Sequence, residues 1–175
     1  MTTLVALLRG VNLGRRTVRS AELKKCFEGL GFAHVRTLLA SGNILFEARS
    51  RAPLRSQIEE RLHQQFGFEI GTILRSQEEL QRLVRSDPFA GQEEDENTKR
   101  YVTFLEPREG KKLPMPFEGE GDFRVVRANA GEICSLAFRS PEGRHGLGME
   151  RIGKHFGRRV LWTTRNWNTV LKAAG

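Results

Sequence analysis

The order of apolar and polar positions predicts the elements of the first half of the chain. Residues 4–8 are apolar at every position, which is typical of a strand buried on both faces. Residues 21–30 carry apolar side chains at helical spacing, with Ser20 as a plausible N-cap and Gly31 as the stop. Strands follow at residues 35–40 and 44–48.

A tight turn at Ser41 and Gly42 joins those two strands into a hairpin. Residues 54–66 then repeat one apolar stripe at helical spacing, and residues 69–74 form a short closing strand. The resulting order is βαββαβ, the split unit called ferredoxin-like. We therefore expect the segment 1–75 to be a ferredoxin-like half.

The second half gives a weaker version of the same pattern. A connecting helix at residues 76–85 and the acidic, exposed segment 92–96 indicate a linker over 76–98. Beyond it, strands are expected at 101–105, 123–128, 133–138 and 160–163, and helices at 149–156 and 167–174. We expect residues 99–175 to be a degraded ferredoxin-like half, in which the proline-bearing stretch 107–116 replaces the first helix. The predicted fold class is α+β, with the two halves packed together and no visible sequence repeat between them.

Composition restricts the classes of protein that fit. The chain has 175 residues, 38% of them hydrophobic and 29% charged, which is the range of globular proteins. No apolar run approaches the roughly 20 residues of a membrane helix, and the N-terminus lacks signal-peptide order. We therefore expect a cytoplasmic protein without membrane contact. Cys26 and Cys134 lack CxxC spacing and are expected to be buried, reduced thiols.

The positive charge is concentrated at the two ends. The formal net charge is +8, with seven Arg/Lys against two Glu in residues 1–36 and eight against two in residues 139–175. Such an excess favours contact with a polyanion, although an arginine-rich chain also spreads charge over ordinary solvated surface.

Three stretches concentrate Arg, Asn, Ser and Gly where apolar segments end, at residues 9–12, 41–43 and 163–169. Loops carry sites more often than cores do. In a split βαββαβ sheet the first two stretches meet at one edge, and a last helix that covers the open sheet face would bring the third to an inter-domain cleft. We expect this cleft to bind a small anion, such as a nucleotide or a phosphorylated metabolite. The candidate ligand-binding residues are Arg9, Asn12, Arg15, Ser41, Asn43, Arg165, Asn166, Trp167 and Asn168.

Structural explanations stand beside this one. The 41–43 stretch is also what a tight turn needs, Asn166 is a suitable helix cap, and Trp167 is suited to packing. Arg9 is the least ordinary of the candidates, because an arginine that continues an apolar strand needs a partner if it is buried.

Familiar chemistries do not fit. Gly10 and Gly14 are one residue too close for a phosphate loop and no lysine follows them. The four histidines lack metal-ligand spacing. No serine lies in a GxSxG nucleophile motif, and neither cysteine is flanked by residues that would activate it. The first strand lacks the stacking aromatics of RNA-recognition modules. No general base is visible, so binding is better supported than catalysis, and the cofactor stays unknown.

Two other classes remain open. One is a nucleic-acid-associated protein that uses a basic surface of Arg15, Arg16, Arg19, Arg158 and Arg159. The other is a partner-binding module without a ligand.

Five motifs together resemble one family, the domain of unknown function 1697. They are LLRGVN at 7–12, AEL at 21–23 with LGF at 30–32, SGN at 41–43, DPF at 87–89 and TTRNWNT at 163–169. The resemblance covers essentially the whole chain and implies two ferredoxin-like halves, with no established activity. The chain departs from the family pattern at Arg15 and Arg16, where a lysine-bearing, glycine-rich loop is usual, and at residues 144–146.

Overall fold

The computed structural model describes residues 1–39, 42–49, 53–108 and 112–175, and the chain divides into two compact units. The first contains Met1–Arg82 and Leu171–Gly175, and the second contains Leu83–Val170. The described residues form a mixed α+β fold with two four-stranded antiparallel sheets and five helices. Within the described residues, none of these helices has the length and apolar character needed to cross a membrane.

The first unit is built around one antiparallel sheet in the order β2-β3-β1-β4. Its elements are β1 (Thr2–Arg9), α1 (Ser20–Gly29), β2 (Ala33–Thr37), β3 (Asn43–Ala48), α2 (Leu54–Phe66), β4 (Gly71–Ser76) and the start of α3 (Gln77–Arg85). The strand at 35–40 was therefore expected two residues late, and residue 40 lies outside the described part. The strand at 69–74 was expected two residues early.

The core of this unit lies between one face of the sheet and helices α1 and α2. Leu4, Ala6 and Leu8 of β1 belong to it, together with Phe27 of α1 and Ile58 of α2. The alternate residues of β1 point to the opposite face, as the period of a strand requires. Val5 and Leu7 on that face are also buried, at 0% and 2% exposure. The apolar run at 4–8 is thus buried on both faces, as the sequence predicts.

The expected N-cap of α1 is wrong by one residue. Ser20 is the first residue of the helix, and Arg19 is the extended residue before it. The carboxylate of Glu22 accepts a hydrogen bond from the backbone N–H of Arg19 at 3.4 Å. An acidic side chain therefore already occupies this helix N-terminus.

The second unit contains a sheet in the order β6-β7-β5-β8. Its elements are β5 (Thr98–Glu106), β6 (Phe123–Ala128), β7 (Glu132–Phe138), α4 (Glu150–Lys154), β8 (Leu161–Asn166) and the start of α5 (Trp167–Ala174). Its core joins Leu105 and Ile133 of the sheet to Ile152 of α4. Cys134 is a free, buried thiol, like Cys26 of the first unit.

Three expectations for this unit need correction. The last strand reaches Asn166 instead of ending at residue 163, the first strand begins at Thr98, and the helix expected at 149–156 is only five residues long. The polar residues 164–166 hid the strand, because their regular structure comes from pairing with β5 and not from apolar content. In the described parts of 107–116 no helix is present.

Candidate functional site

Arg165 is a half-buried charged residue among the predicted site residues of the second unit. It lies on β8 directly opposite Val102 of β5. Its Nη1 donates to the hydroxyl of Thr163 at 2.6 Å and to the carbonyl of Thr164 at 3.1 Å. Burial lowers the pKa of its guanidinium to about 10. The protein therefore holds this charge in a poorly hydrated position, although burial disfavours the charged form of a guanidinium.

Arg100 of β5 shares that sheet face. Arg100 stands two residues before Val102, so strand alternation places it on the same side as Arg165, in a diagonal cross-strand position. Its Nε is buried and has no hydrogen-bond partner in the described part of the chain. We call Arg100 and Arg165 the arginine pair.

One aromatic ring lies beside Arg100, and a second ring packs against the first. The Cζ atom of Arg100 lies 5.9 Å from the ring centroid of Phe89. Phe89 in turn contacts Trp167 edge-to-face, with centroids 5.0 Å apart. The motifs DPF and TTRNWNT therefore meet within one unit, through the ring of the first and the tryptophan of the second.

The asparagines next to Arg165 have a structural role that the geometry explains. The Oδ1 of Asn166 accepts a hydrogen bond from the backbone N–H of Asn168 at 2.8 Å, which caps the first turn of α5. Trp167 is 7% exposed and packs on Phe89. Asn168 itself is exposed. The structural explanations offered for Asn166 and Trp167 thus describe real contacts.

The first unit brings together two of its candidates. Arg9 ends β1 opposite Gly71, and Asn43 begins β3 opposite Leu7, so both lie on the face away from α1 and α2. Burial lowers the pKa of the Arg9 guanidinium. Asn43 is 5% exposed, and its Nδ2 donates to the carbonyl of Leu38 at 3.3 Å. Ser41 lies outside the described residues.

The other two candidates of this unit belong to the loop before α1. Asn12 has a positive φ of 53°, and its Oδ1 accepts a hydrogen bond from the backbone N–H of Val18 at 2.8 Å. This bond closes the loop on itself and gives Asn12 a structural role. Arg15 is exposed, and the next residue, Arg16, stacks its guanidinium 4.6 Å from the Phe68 ring centroid.

The described residues contain no group of three or more His, Cys, Asp or Glu side chains arranged to hold a metal ion.

A family model described as "Protein of unknown function (DUF1697)" matches residues 1–121. The chain belongs to this family. The motifs LLRGVN and DPF of this DUF1697 protein lie inside the matched segment, whereas TTRNWNT lies beyond it.

The structure of a conserved bacterial protein, SP0830 from Streptococcus pneumoniae, is similar to this DUF1697 protein. The two share 23% sequence identity with a TM-score of 0.71, over 99% of this chain and 97% of the other. At that identity the likeness shows a common fold. No curated protein matches the chain.

Arg75 of this DUF1697 chain was missed by the sequence analysis. It lies on β4 opposite Val5 and is fully buried, and its Nη1 donates to the carbonyl of Leu74 at 2.9 Å. Arg165 makes the matching bond to the residue before it, and each arginine is followed by a capping residue and a helix. The fourth strands of the two sheets therefore end alike.

The signal for Arg75 was available, because an arginine that interrupts an apolar strand was the argument for Arg9. Arg100 gave no such signal, since its neighbours Lys99 and Tyr101 are polar or amphipathic.

Proposed function

We propose that the protein binds a small anion of the nucleotide or phosphorylated-metabolite class at the arginine pair, Arg100 and Arg165. The observation that carries the proposal is the placement of two guanidinium groups on one sheet face of neighbouring strands. Diagonal cross-strand neighbours have Cβ atoms about 7–8 Å apart, a separation that two arginine side chains readily span around a phosphate.

The electrostatics of the pair support an anion. Two guanidinium groups on one face of neighbouring strands repel each other, and water screens this repulsion less where a charge is poorly hydrated. Burial adds to this cost at Arg165, where it lowers the guanidinium pKa to about 10. A bound phosphate would replace the repulsion with charge-assisted hydrogen bonds, for which the planar guanidinium is well suited.

The aromatic neighbours support a fixed orientation of Arg100. Its guanidinium lies near the Phe89 ring, and Phe89 is held by its edge-to-face contact with Trp167. A cation over an aromatic ring is attracted to the ring face. The Arg100 Nε, which has no hydrogen-bond partner among the described residues, is one donor that a ligand would satisfy.

Arg9 and Asn43 belong to the other unit, and their part in anion binding stays a prediction. So does the assignment of each half to the ferredoxin-like fold, which the βαββαβ order of the first unit and its strand order support.

A thermal-shift titration with inorganic pyrophosphate and AMP tests the proposal. We expect saturable stabilisation of the wild type, and its loss in Arg165→Met and Arg100→Met. Arg158→Met is the matched control, because Arg158 is an exposed arginine of the same unit. Stabilisation that is equal in all four proteins would exclude the arginine pair as the site.

Surface binding of nucleic acid is the second candidate function. Arg15, Arg16, Arg19, Arg158 and Arg159 are all exposed, as this alternative requires. Single-stranded RNA in the same assay at two salt concentrations separates the two functions. Contact with the RNA backbone predicts length-dependent binding that collapses at high salt, whereas a small-anion site predicts only mild salt sensitivity.

A further inference from the structure

The first unit contains a groove on the sheet face away from α1 and α2. It has a volume of about 420 Å³, and its walls come from β1, β2, β3 and the start of α3. This volume lies within the roughly 300–1,000 Å³ typical of small-molecule sites. Its lining includes Thr3, His34, Arg36, Leu45, Glu47 and Gln77.

A β-bulge in the edge strand creates the charged rim of this groove. Ala33 pairs with Glu47, but Arg36 pairs with Leu45, so β2 has one extra residue over this span. An unbroken register from Ala33 would pair Arg36 with Ile44 and turn it to the helix-covered face. The bulge instead places Arg36 on the groove side. His34 takes up the irregularity with a positive φ of 51°.

Two opposite charges line the groove without forming an ion pair with each other. Arg36 pairs with Leu45, two residues from Glu47 on β3, so Arg36 and Glu47 lie on one face of the sheet on either side of the bulge. Among the described residues no ion pair joins them. Each charged group therefore retains hydrogen-bonding capacity toward a molecule in the groove.

The groove is also lined by an apolar residue and by a glutamine that is held by a hydrogen bond. Leu45 lines the groove and is 4% exposed, so it contributes only a small apolar surface. Gln77 forms part of the wall, and its Nε2 donates to the carbonyl of Ala173 in the same unit at 3.2 Å. A fixed wall and an apolar patch between two opposite charges suit a ligand that is itself charged at two points.

We propose that this groove binds a small zwitterion of the amino-acid or short-peptide class. Arg36 would receive the carboxylate, Glu47 the ammonium group, and Leu45 would contact an aliphatic side chain. This site is separate from the arginine pair and does not depend on the proposed anion binding.

Three related probes test both charge contacts at once by NMR of the ¹⁵N-labelled full chain. L-Leucine carries both charges, N-acetyl-L-leucine lacks the ammonium group, and L-leucinamide lacks the carboxylate. We expect leucine to shift the amide resonances of Arg36, Leu45 and Glu47 saturably. Each analogue should bind at least about tenfold more weakly, since each loses one charge-assisted contact.

Two variants assign the contacts to side chains. In Glu47→Gln, leucine and N-acetyl-leucine should bind with similar affinity, and in Arg36→Gln, leucine and leucinamide should do so. The dispersed spectrum of each variant before titration reports that it is folded. The proposal is overturned if leucine causes no saturable shift at the groove, or if either analogue binds the wild type as well as leucine does.

Discussion

Replacement of Arg165 by methionine separates the stability of the fold from its anion binding. Burial lowers the pKa of this guanidinium from 12.5 to about 10. Because a tenfold change in an ionisation constant corresponds to about 1.4 kcal/mol, holding the charge in the folded protein costs about 3 kcal/mol. Against this, Nη1 makes two hydrogen bonds, to Thr163 and Thr164, and bonds from charged groups contribute about 1.5–3 kcal/mol each.

Together the two bonds contribute about 3–6 kcal/mol, so they offset the cost of burial and leave a net stabilisation of about 0–3 kcal/mol, and methionine keeps much of the packed volume. We therefore expect Arg165→Met to lower the free energy of unfolding by less than about 3 kcal/mol. Urea denaturation followed by tryptophan fluorescence measures this change. The reasoning is refuted if the variant loses more than about 3 kcal/mol, the range seen when one partner of a buried ion pair is removed. Arg165 would then be needed mainly for the stability of the fold.

Pyrophosphate then reports on binding in the same variant. A ligand at about 100 times its Kd stabilises the folded state by about 2.7 kcal/mol. For a chain of this size that corresponds to a rise in Tm of about 5–10 °C. We expect this rise in the wild type and in Arg158→Met, and its near absence in Arg165→Met. A full rise in Arg165→Met would contradict the proposed site.

Three further predictions follow from individual side chains. Asn166→Ala should lower the free energy of unfolding by about 1 kcal/mol through loss of the cap and leave pyrophosphate binding intact; weakened binding at unchanged stability would make Asn166 a ligand contact instead. Burial raises the pKa of the Cys134 thiol to about 12 from 9.0, so above about pH 9 only the unfolded thiol ionises and stability falls by up to about 1.4 kcal/mol per pH unit. Cys134→Ala should show a correspondingly smaller loss in urea titrations between about pH 8.5 and 10, and equal slopes would refute the assignment. Arg9→Met tests the predicted part of Arg9 in anion binding by the same pyrophosphate titration; weaker binding at unchanged stability would support that part, and unchanged affinity would remove Arg9 from the candidate residues.

The apolar strands could be predicted because the apolar character of each residue is enough to indicate that it is buried. Residues 4–8 have no polar position, so a strand buried on both faces was the simplest reading, and Val5 and Leu7 are buried as expected. The helix at Leu54–Phe66 was predicted at the bounds the structure gives it. These elements are formed by apolar side chains, whose removal from water is itself favourable.

Polar strand residues could not be predicted in this way. Arg100 and Arg165 lie in regular strands because their backbones pair with neighbours that are distant in sequence. Pairing between β5 and β8 joins residues about sixty positions apart. The local pattern of apolar and polar residues therefore does not predict this pairing. The bulge at Ala33–Arg36 was missed for the same reason, since it is visible only against the register of β3.

The sequence contained no signal for Arg100, whereas it named the immediate neighbours of Arg165 as site residues. The sequence placed Asn166 and Trp167 in the site with Arg165, but cap geometry engages Asn166 and packing engages Trp167. Arg100 precedes Arg165 by sixty-five positions, and strand alternation places both on the same sheet face.

NMR of the arginine side-chain Nε–Hε groups is the most direct test that the arginine pair binds an anion. Arg100→Lys and Arg165→Lys assign the two resonances, and the exposed Arg158 supplies an internal control. We predict that pyrophosphate shifts the Arg100 and Arg165 signals saturably with one common midpoint, while the Arg158 signal changes little. Unsaturable shifts of similar size at all three arginines would contradict the account.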